Sequence, residues 1–307
     1  YKSEESKGWW FFQPNAEGVK ERREREIVMR VQVLMLDENR VEYGVKHVEN
    51  KPRVSAMPYL YDIAEGNVLN HKPFSKLGYN ADVGAAEEII SAQGGAYVMP
   101  AAEQHMHVVS SSIEDDPVKA DLAVGTGLHS ITIYYLTSGF VEKKETVTLN
   151  GTTAVETTAT DIFRINSINA ETTGTGQKAA GNISVKNHAE TITYGYIAAG
   201  NTKMRQAVFT VPVGKNLFIT QWGHSTVTAA GKACTLTLKA NYDELDDHIL
   251  ASGFYIAYAE ITTESASDVM EFNTPLSFKA GVDVIITGFA NASTIVSLCF
   301  RGWIEAA

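Results

Sequence analysis

SITIYYLTSGFVEKKETVTL, residues 130–149, reads as two strands and the turn between them. Ser130–Leu136 and Phe140–Leu149 alternate apolar and polar side chains, the period of a half-buried strand. Thr137-Ser138-Gly139 supplies the turn, and Asn150-Gly151, a strong short-range hairpin signal, follows directly. The pattern extends on both sides: Gln104–Ser110, Asp161–Asn169, Asn182–Lys186 and Thr191–Ile197 read the same way. A second set comprises Gln206–Val211, Asn216–Trp222, Ala233–Ala240, Gly253–Thr262, Ser267–Phe272, Asp283–Phe289 and Thr294–Ile304. Short strands at roughly 8–12-residue spacing with Gly-bearing turns point to β-sandwiches. The expected fold is all-β, with two tandem β-sandwich (jelly-roll-like) domains, residues 97–200 and 201–307, meeting near Ala198–Met204. Thr294–Ile304 (TIVSLCFRGWI) is apolar and almost uncharged, so it must be a central strand or pair with another subunit; at a bare edge it would aggregate.

Composition agrees. Residues 1–125 contain no threonine and residues 126–307 contain 27, a β-branched residue that favours strands. The chain of 307 residues has a net charge of −10. An acidic field argues against coating nucleic acid, which needs basic surface. No run of about 18 apolar residues is present to span a membrane as a helix, and no secretory signal pattern appears. Two cysteines, Cys234 and Cys299, build neither a disulfide scaffold nor a cysteine-rich zinc protein. Both fall on expected strands and read as buried free thiols, with an inter-sheet bridge as the alternative.

The amino-terminal part differs. Residues 1–56 carry 11 Lys/Arg and 10 Asp/Glu, and the whole acidic excess lies after them. They read as a charged extension, and Met57 reads as a natural start. Val19–Arg30 suits a short solvated helix, and Val31–Leu36 suits a strand equally well. Trp9-Trp10-Phe11-Phe12 suits an aromatic plug or an anchor into a partner. Residues 57–96 are punctuated by Pro58, Gly66, Pro73, Gly78, Gly84, Gly94 and Gly95, with only Ala85–Ala92 able to make a short helix. Their apolar content suits an extended arm laid on another surface more than a free linker. That reading expects removal of residues 57–96 to spare the β-domains and abolish association with a particle.

Several runs resemble a family of poorly characterised virion structural proteins of tailed bacteriophages. They are Asp62-Ile63-Ala64-Glu65-Gly66-Asn67-Val68, Gly94-Gly95-Ala96-Tyr97-Val98-Met99-Pro100 and Val108-Val109-Ser110-Ser111-Ser112. Further runs are Glu145-Thr146-Val147-Thr148-Leu149-Asn150-Gly151-Thr152-Thr153 and the stretch from Arg164-Ile165-Asn166 to Ala180-Gly181-Asn182-Ile183. The resemblance covers about residues 57–240 and leaves residues 1–56 outside it. It implies a virion structural protein and carries no catalytic motif.

Candidate chemistry is sparse. His105 and His107, two apart on a strand, share a face; with His129, or with Glu114, Asp115 and Asp116, they offer zinc-type ligands. The alternative is two half-exposed strand histidines. Asn241–Asp247 (NYDELDD) clusters Asp243, Glu244, Asp246 and Asp247 but lacks EF-hand spacing, so a solvated connection or an interface to a basic partner is the simpler reading. Gly223-His224-Ser225 is the nearest fragment to a nucleophile elbow and lacks its context. Gly174-Thr175-Gly176 and Gly214-Lys215 lack the frame of a phosphate loop. No catalytic, cofactor-binding or metal residue is assigned, and no cofactor is expected.

The expected function is therefore non-enzymatic: a virion component, assembled in the host cytoplasm, as a capsid decoration or head-fibre protein. Its expected partners are other copies of itself, in an expected trimer, and the major capsid protein or other virion proteins, with neither nucleic acid nor membrane. One rival is a carbohydrate- or receptor-binding module of a tail fibre or adhesin, with Tyr134, Tyr135, Trp222 and Tyr242 stacking on sugars. An exposed aromatic shelf would favour it. A tail, neck or portal-adaptor protein is a second rival, told apart by ring copy number. A depolymerase, with two carboxylates about 5–10 Å apart in a cleft, is the third.

Overall fold

The structure is a computed structural model that describes residues 45–48, 51–54, 59–251, 253–264 and 266–307. Trp9–Phe12, Val19–Arg30, Val31–Leu36 and Met57 lie outside the described residues. The chain divides into two compact units, Tyr1–Asn67 and Val68–Ala307. In the first, β1 (Val45–Val48) and β2 (Lys51–Val54) pair antiparallel, and a short helix, α1 (Tyr59–Ala64), follows. No described helix is long and apolar enough to cross a membrane.

The second unit is built from antiparallel sheets. It opens with β3 (His71–Val83) and β4 (Glu88–Ile89). Then come β5 (Met106–Ser110), β6 (Leu128–Leu136), β7 (Glu142–Thr148) and β8 (Val155–Glu156). β9 (Arg164–Thr173), β10 (Ile183–Asn187) and β11 (Thr193–Ile197) follow. The last seven make two sheets, ordered β7-β6-β9 and β11-β10-β5-β8. Their alternating residues meet in one core that includes Met106, Val108, Ile131, Ile133, Ile165, Ile168, Ile183 and Val185. Thr137-Ser138-Gly139 makes the expected hairpin, with the Phe140 amide donating to the Thr137 carbonyl at 2.8 Å. Asn150-Gly151 does turn the chain, but not into a hairpin. Gly151, at φ 53°, donates to the Asp115 carbonyl and accepts from the Ser110 amide. The chain thereby leaves β7 for β8, which pairs with β5 in the other sheet.

A second core lies between two further sheets. The remaining strands begin with β12 (Val208–Thr210), β13 (Lys215–Val227) and β14 (Cys234–Ala240). A small hairpin of β15 (Tyr242–Asp243) and β16 (His248–Ile249) comes next. The set ends with β17 (Ile256–Thr263), β18 (Ser267–Phe278), β19 (Asp283–Ala290) and β20 (Thr294–Ala306). One sheet runs β12-β19-β14-β17, with β4 also on β19; the other runs β18-β13-β20-β3. Trp222, Leu236, Phe278, Ile286 and Phe300 are fully buried between them. Side chains of this size each stabilise by about 2 kcal/mol on leaving water. The long apolar strand β20 is central, paired with β13 on one side and β3 on the other. β19 is central too, which answers the same aggregation pressure.

The segment 57–96 contains regular structure that pairs within the chain. Its largest part is β3, a 13-residue strand that closes on the chain's own β20. Of the Pro and Gly residues that suggested joints, Pro73 and Gly78 lie in this edge strand. Pro73 lies at the sheet edge. Gly78 brings the backbone so near the second sheet that a Cβ there would lie 2.8 Å from that of Ala207. Nor is Ala85–Ala92 helical. Its Glu88–Ile89 pairs with β19, and the buried Ile90 exchanges backbone hydrogen bonds with Ile286 and Ala207. Cross-sheet pairing outweighs a short local helix preference.

A polar seam joins the two cores. Asn166 on β9 donates to the Thr210 carbonyl and accepts from the Thr210 amide, both at 2.8 Å. Arg164 grips Asp283 through two nitrogens, at 3.2 and 3.3 Å, and donates to the Pro100 carbonyl at 2.7 Å. Its guanidinium also covers the Phe163 ring. Lys76 reaches from β3 to the Asn166 carbonyl.

Candidate functional site

Three imidazoles converge on one carboxylate at the end of the β8-β5-β10 ladder. His107 lies on β5 directly opposite Glu156 of β8. His105 lies two residues before it and shares its face. His188 immediately follows β10, in a turn fixed by Asn187, whose side-chain oxygen accepts from the Thr191 and Ile192 amides at 2.8 Å. Glu156 Oε1 stands 3.0 Å from His105 Nε2, 3.3 Å from His188 Nδ1 and 3.8 Å from His107 Nε2. His107 Nδ1 in turn bonds Glu190 Oε1 at 2.9 Å. The His188 ring sits 4.3 Å from that of His105 and 5.0 Å from that of His107, centroid to centroid.

Half of this cluster was legible in the sequence. The pair His105 and His107 shares a face as expected, but the suggested further ligands lie elsewhere. His129 bonds the Gly125 carbonyl through Nε2. Glu114 is occupied by Lys119 and Thr126, which hold its carboxyl below the usual range. Asp115 is buried as an acceptor for the Leu128, Ala180 and Gly181 amides and the Ser110 hydroxyl. Asp116 caps the Val118 amide. Glu156, His188 and Glu190 come from cross-strand register and a turn, and no local spacing announces either.

The other candidates resolve into structure. In Asn241–Asp247, Asp247 is taken by Lys279 and by the Tyr242 hydroxyl, and these keep its carboxyl low. Asp243 caps the Leu245 amide within the β15–β16 turn. Gly223-His224-Ser225 lies in β13, where neighbouring side chains face opposite sides. His224 is buried inward, while Ser225 bonds Ser267 on the exposed face. They cannot form a nucleophile and base pair. Of the four aromatics considered for sugar stacking, Trp222 and Tyr135 are buried, Tyr242 lies under Lys279, and Tyr134 alone of them is exposed. Cys234 and Cys299 are free thiols on different sheets, and burial pushes the Cys234 thiol up to about 11. Beside β13, β18 and β20 lies a wide, shallow depression of about 470 Å³, lined by Leu77, Ser225, Val269 and Cys299 among others.

No protein-family model and no curated protein matches the chain. The solved structures that align over most of its length include two of one virus. The VP2 subviral particle of infectious bursal disease virus shares 10% identity at a TM-score of 0.19, covering 78% of this chain and 77% of that one. The structure of the Gt strain of the same virus shares 8% identity at a TM-score of 0.16, covering 82% of each. A likeness this distant carries no argument about function.

Proposed function

We propose that this chain is a non-enzymatic virion structural protein, a capsid decoration or head-fibre component of a tailed bacteriophage that assembles with copies of itself. We read its paired sheets as two β-sandwiches in tandem, the second jelly-roll-like and completed by β3 and β4. The observation that carries the proposal is the pair of long outer strands β17 and β18. Each has a single sheet neighbour, and their outward edges are open among the described residues. Along the stretch that carries them, Leu245, Phe254, Ile256 and Val269 are exposed. Long open edges with apolar neighbours are what assembly between copies covers. The sequence resemblance supplies the particle in which such assembly would occur. The sugar-binding rival has less support, since its aromatics form no exposed shelf.

Light scattering of the purified full-length chain at several concentrations tests this. A concentration-independent oligomer, with a trimer expected, supports it; a monomer at every concentration counts against it. Mass spectrometry of purified particles then tests the virion assignment.

A further inference from the structure

We propose that His105, His188 and Glu156 form a zinc site, flanked by His107, which Glu190 holds in place. Two ring nitrogens crowd one carboxylate oxygen: His105 Nε2 at 3.0 Å and His188 Nδ1 at 3.3 Å from Glu156 Oε1, with His107 Nε2 farther off at 3.8 Å. A cation placed among the first three atoms satisfies all of them, because each then presents a lone pair to a common point.

The spacing agrees. Ligands about 2.0–2.1 Å from a tetrahedral zinc lie about 3.3 Å from one another. The His105 and His188 contacts to Glu156 Oε1, at 3.0 and 3.3 Å, lie close to that value. Ligand atoms of His105, Glu156 and His188 all lie within 4.8 Å of one another. His107 adds a second-layer feature. Its Nδ1 meets Glu190 Oε1 at 2.9 Å, which fixes the ring beside the three ligands. Nitrogen-rich donor sets favour zinc and its transition-metal neighbours over calcium or magnesium, which prefer oxygen. Two glutamates, opposed by Lys186 in register with His107, leave the site with excess negative charge to meet a dication.

The site would also do mechanical work. It would tie β8, β5 and the turn after β10 at a place where β8 contributes only two residues to the ladder. The proposal is independent of the virion reading, since it concerns only the metal and this chain.

The test uses the full-length chain, titrated with Zn²⁺ calorimetrically and with Co²⁺ spectroscopically. We expect one equivalent of zinc and visible Co²⁺ bands of tetrahedral intensity that zinc abolishes. The His188 side chain is 62% exposed, so His188→Ala leaves the fold intact. That variant and Glu156→Gln should each weaken binding about tenfold or more. His248→Ala, on the distant β16, should change nothing. No zinc uptake by the full-length chain, or uptake that survives His188→Ala or Glu156→Gln, overturns the proposal.

Discussion

Lys76 offers a sharp test of how the two cores are joined. It is 6% exposed, and its ammonium reaches the Asn166 carbonyl across the seam. Burial, reinforced by the nearby Lys203 charge, lowers its pKa from 10.5 to about 7. The unfolded chain thus binds a proton that the folded chain gives up between those values. Stability therefore rises with pH in that window, and below about pH 7 both states hold the proton and the slope vanishes. From pH 7 to 9 the gain is about 2 kcal/mol, which for a unit of this size is on the order of 5 °C in Tm. Neighbouring ionisations leave this range clear. The lowered His224 pKa acts below 6.5 and the raised Cys234 pKa acts above 9.0. Urea unfolding at half-unit pH steps, on the wild type and on Lys76→Met, makes the measurement. The substitution leaves the Asn166 carbonyl without its partner, at a pH-independent cost of about 1 kcal/mol. It should also abolish the slope. A flat wild-type profile, or a slope that persists in Lys76→Met, would refute the reasoning.

Other outcomes follow from the same geometry. Arg164→Ala or Asp283→Ala strands a buried charge and should cost about 3–5 kcal/mol by urea midpoint; Arg164→Met combined with Asp283→Leu should cost much less, and equal losses would sink the pairing argument. Asp115→Ala removes the acceptor for three amides and a hydroxyl; it should cost roughly 3 kcal/mol or more, and a change below about 1 kcal/mol would contradict that role. Deleting residues 57–83 removes β3 and bares one side of β20, so the product should aggregate; a truncated chain that stays soluble with unchanged near-ultraviolet dichroism would show that β3 is dispensable. In native thiol labelling Cys299 should react before Cys234, and the reverse order would contradict the burial assigned to them.

Strand identity was readable because alternation is local: every run from Gln104 to Ile304 that alternates became a strand, within a few residues. The central place of Thr294–Ile304 was readable too, from the hazard of leaving it bare. What escaped the sequence is non-local. Pro73 and Gly78 look like joints until β20 is seen beside them. Ala85–Ala92 has a helix-compatible composition, but Ile90 is worth more buried against Ile286 and Ala207 than in an isolated turn. The histidine cluster shows the same division. His105 and His107 are linked by strand period, whereas Glu156 and His188 arrive through register between strands that the sequence does not pair.

The position of β20 bears on the order of synthesis. The sheet β18-β13-β20-β3 has as a central member the strand translated after every other described strand. β3, made early, meets the one sheet neighbour it has among the described strands only when β20 emerges from the ribosome. The core around Met106 and Ile165 has no such wait, because all its strands are complete by Ile197. Folding on the ribosome would therefore proceed in two stages, with an early strand held unpaired through most of translation. Such a strand is a natural client for a chaperone, and slowed elongation beyond β11 should favour capture over closure.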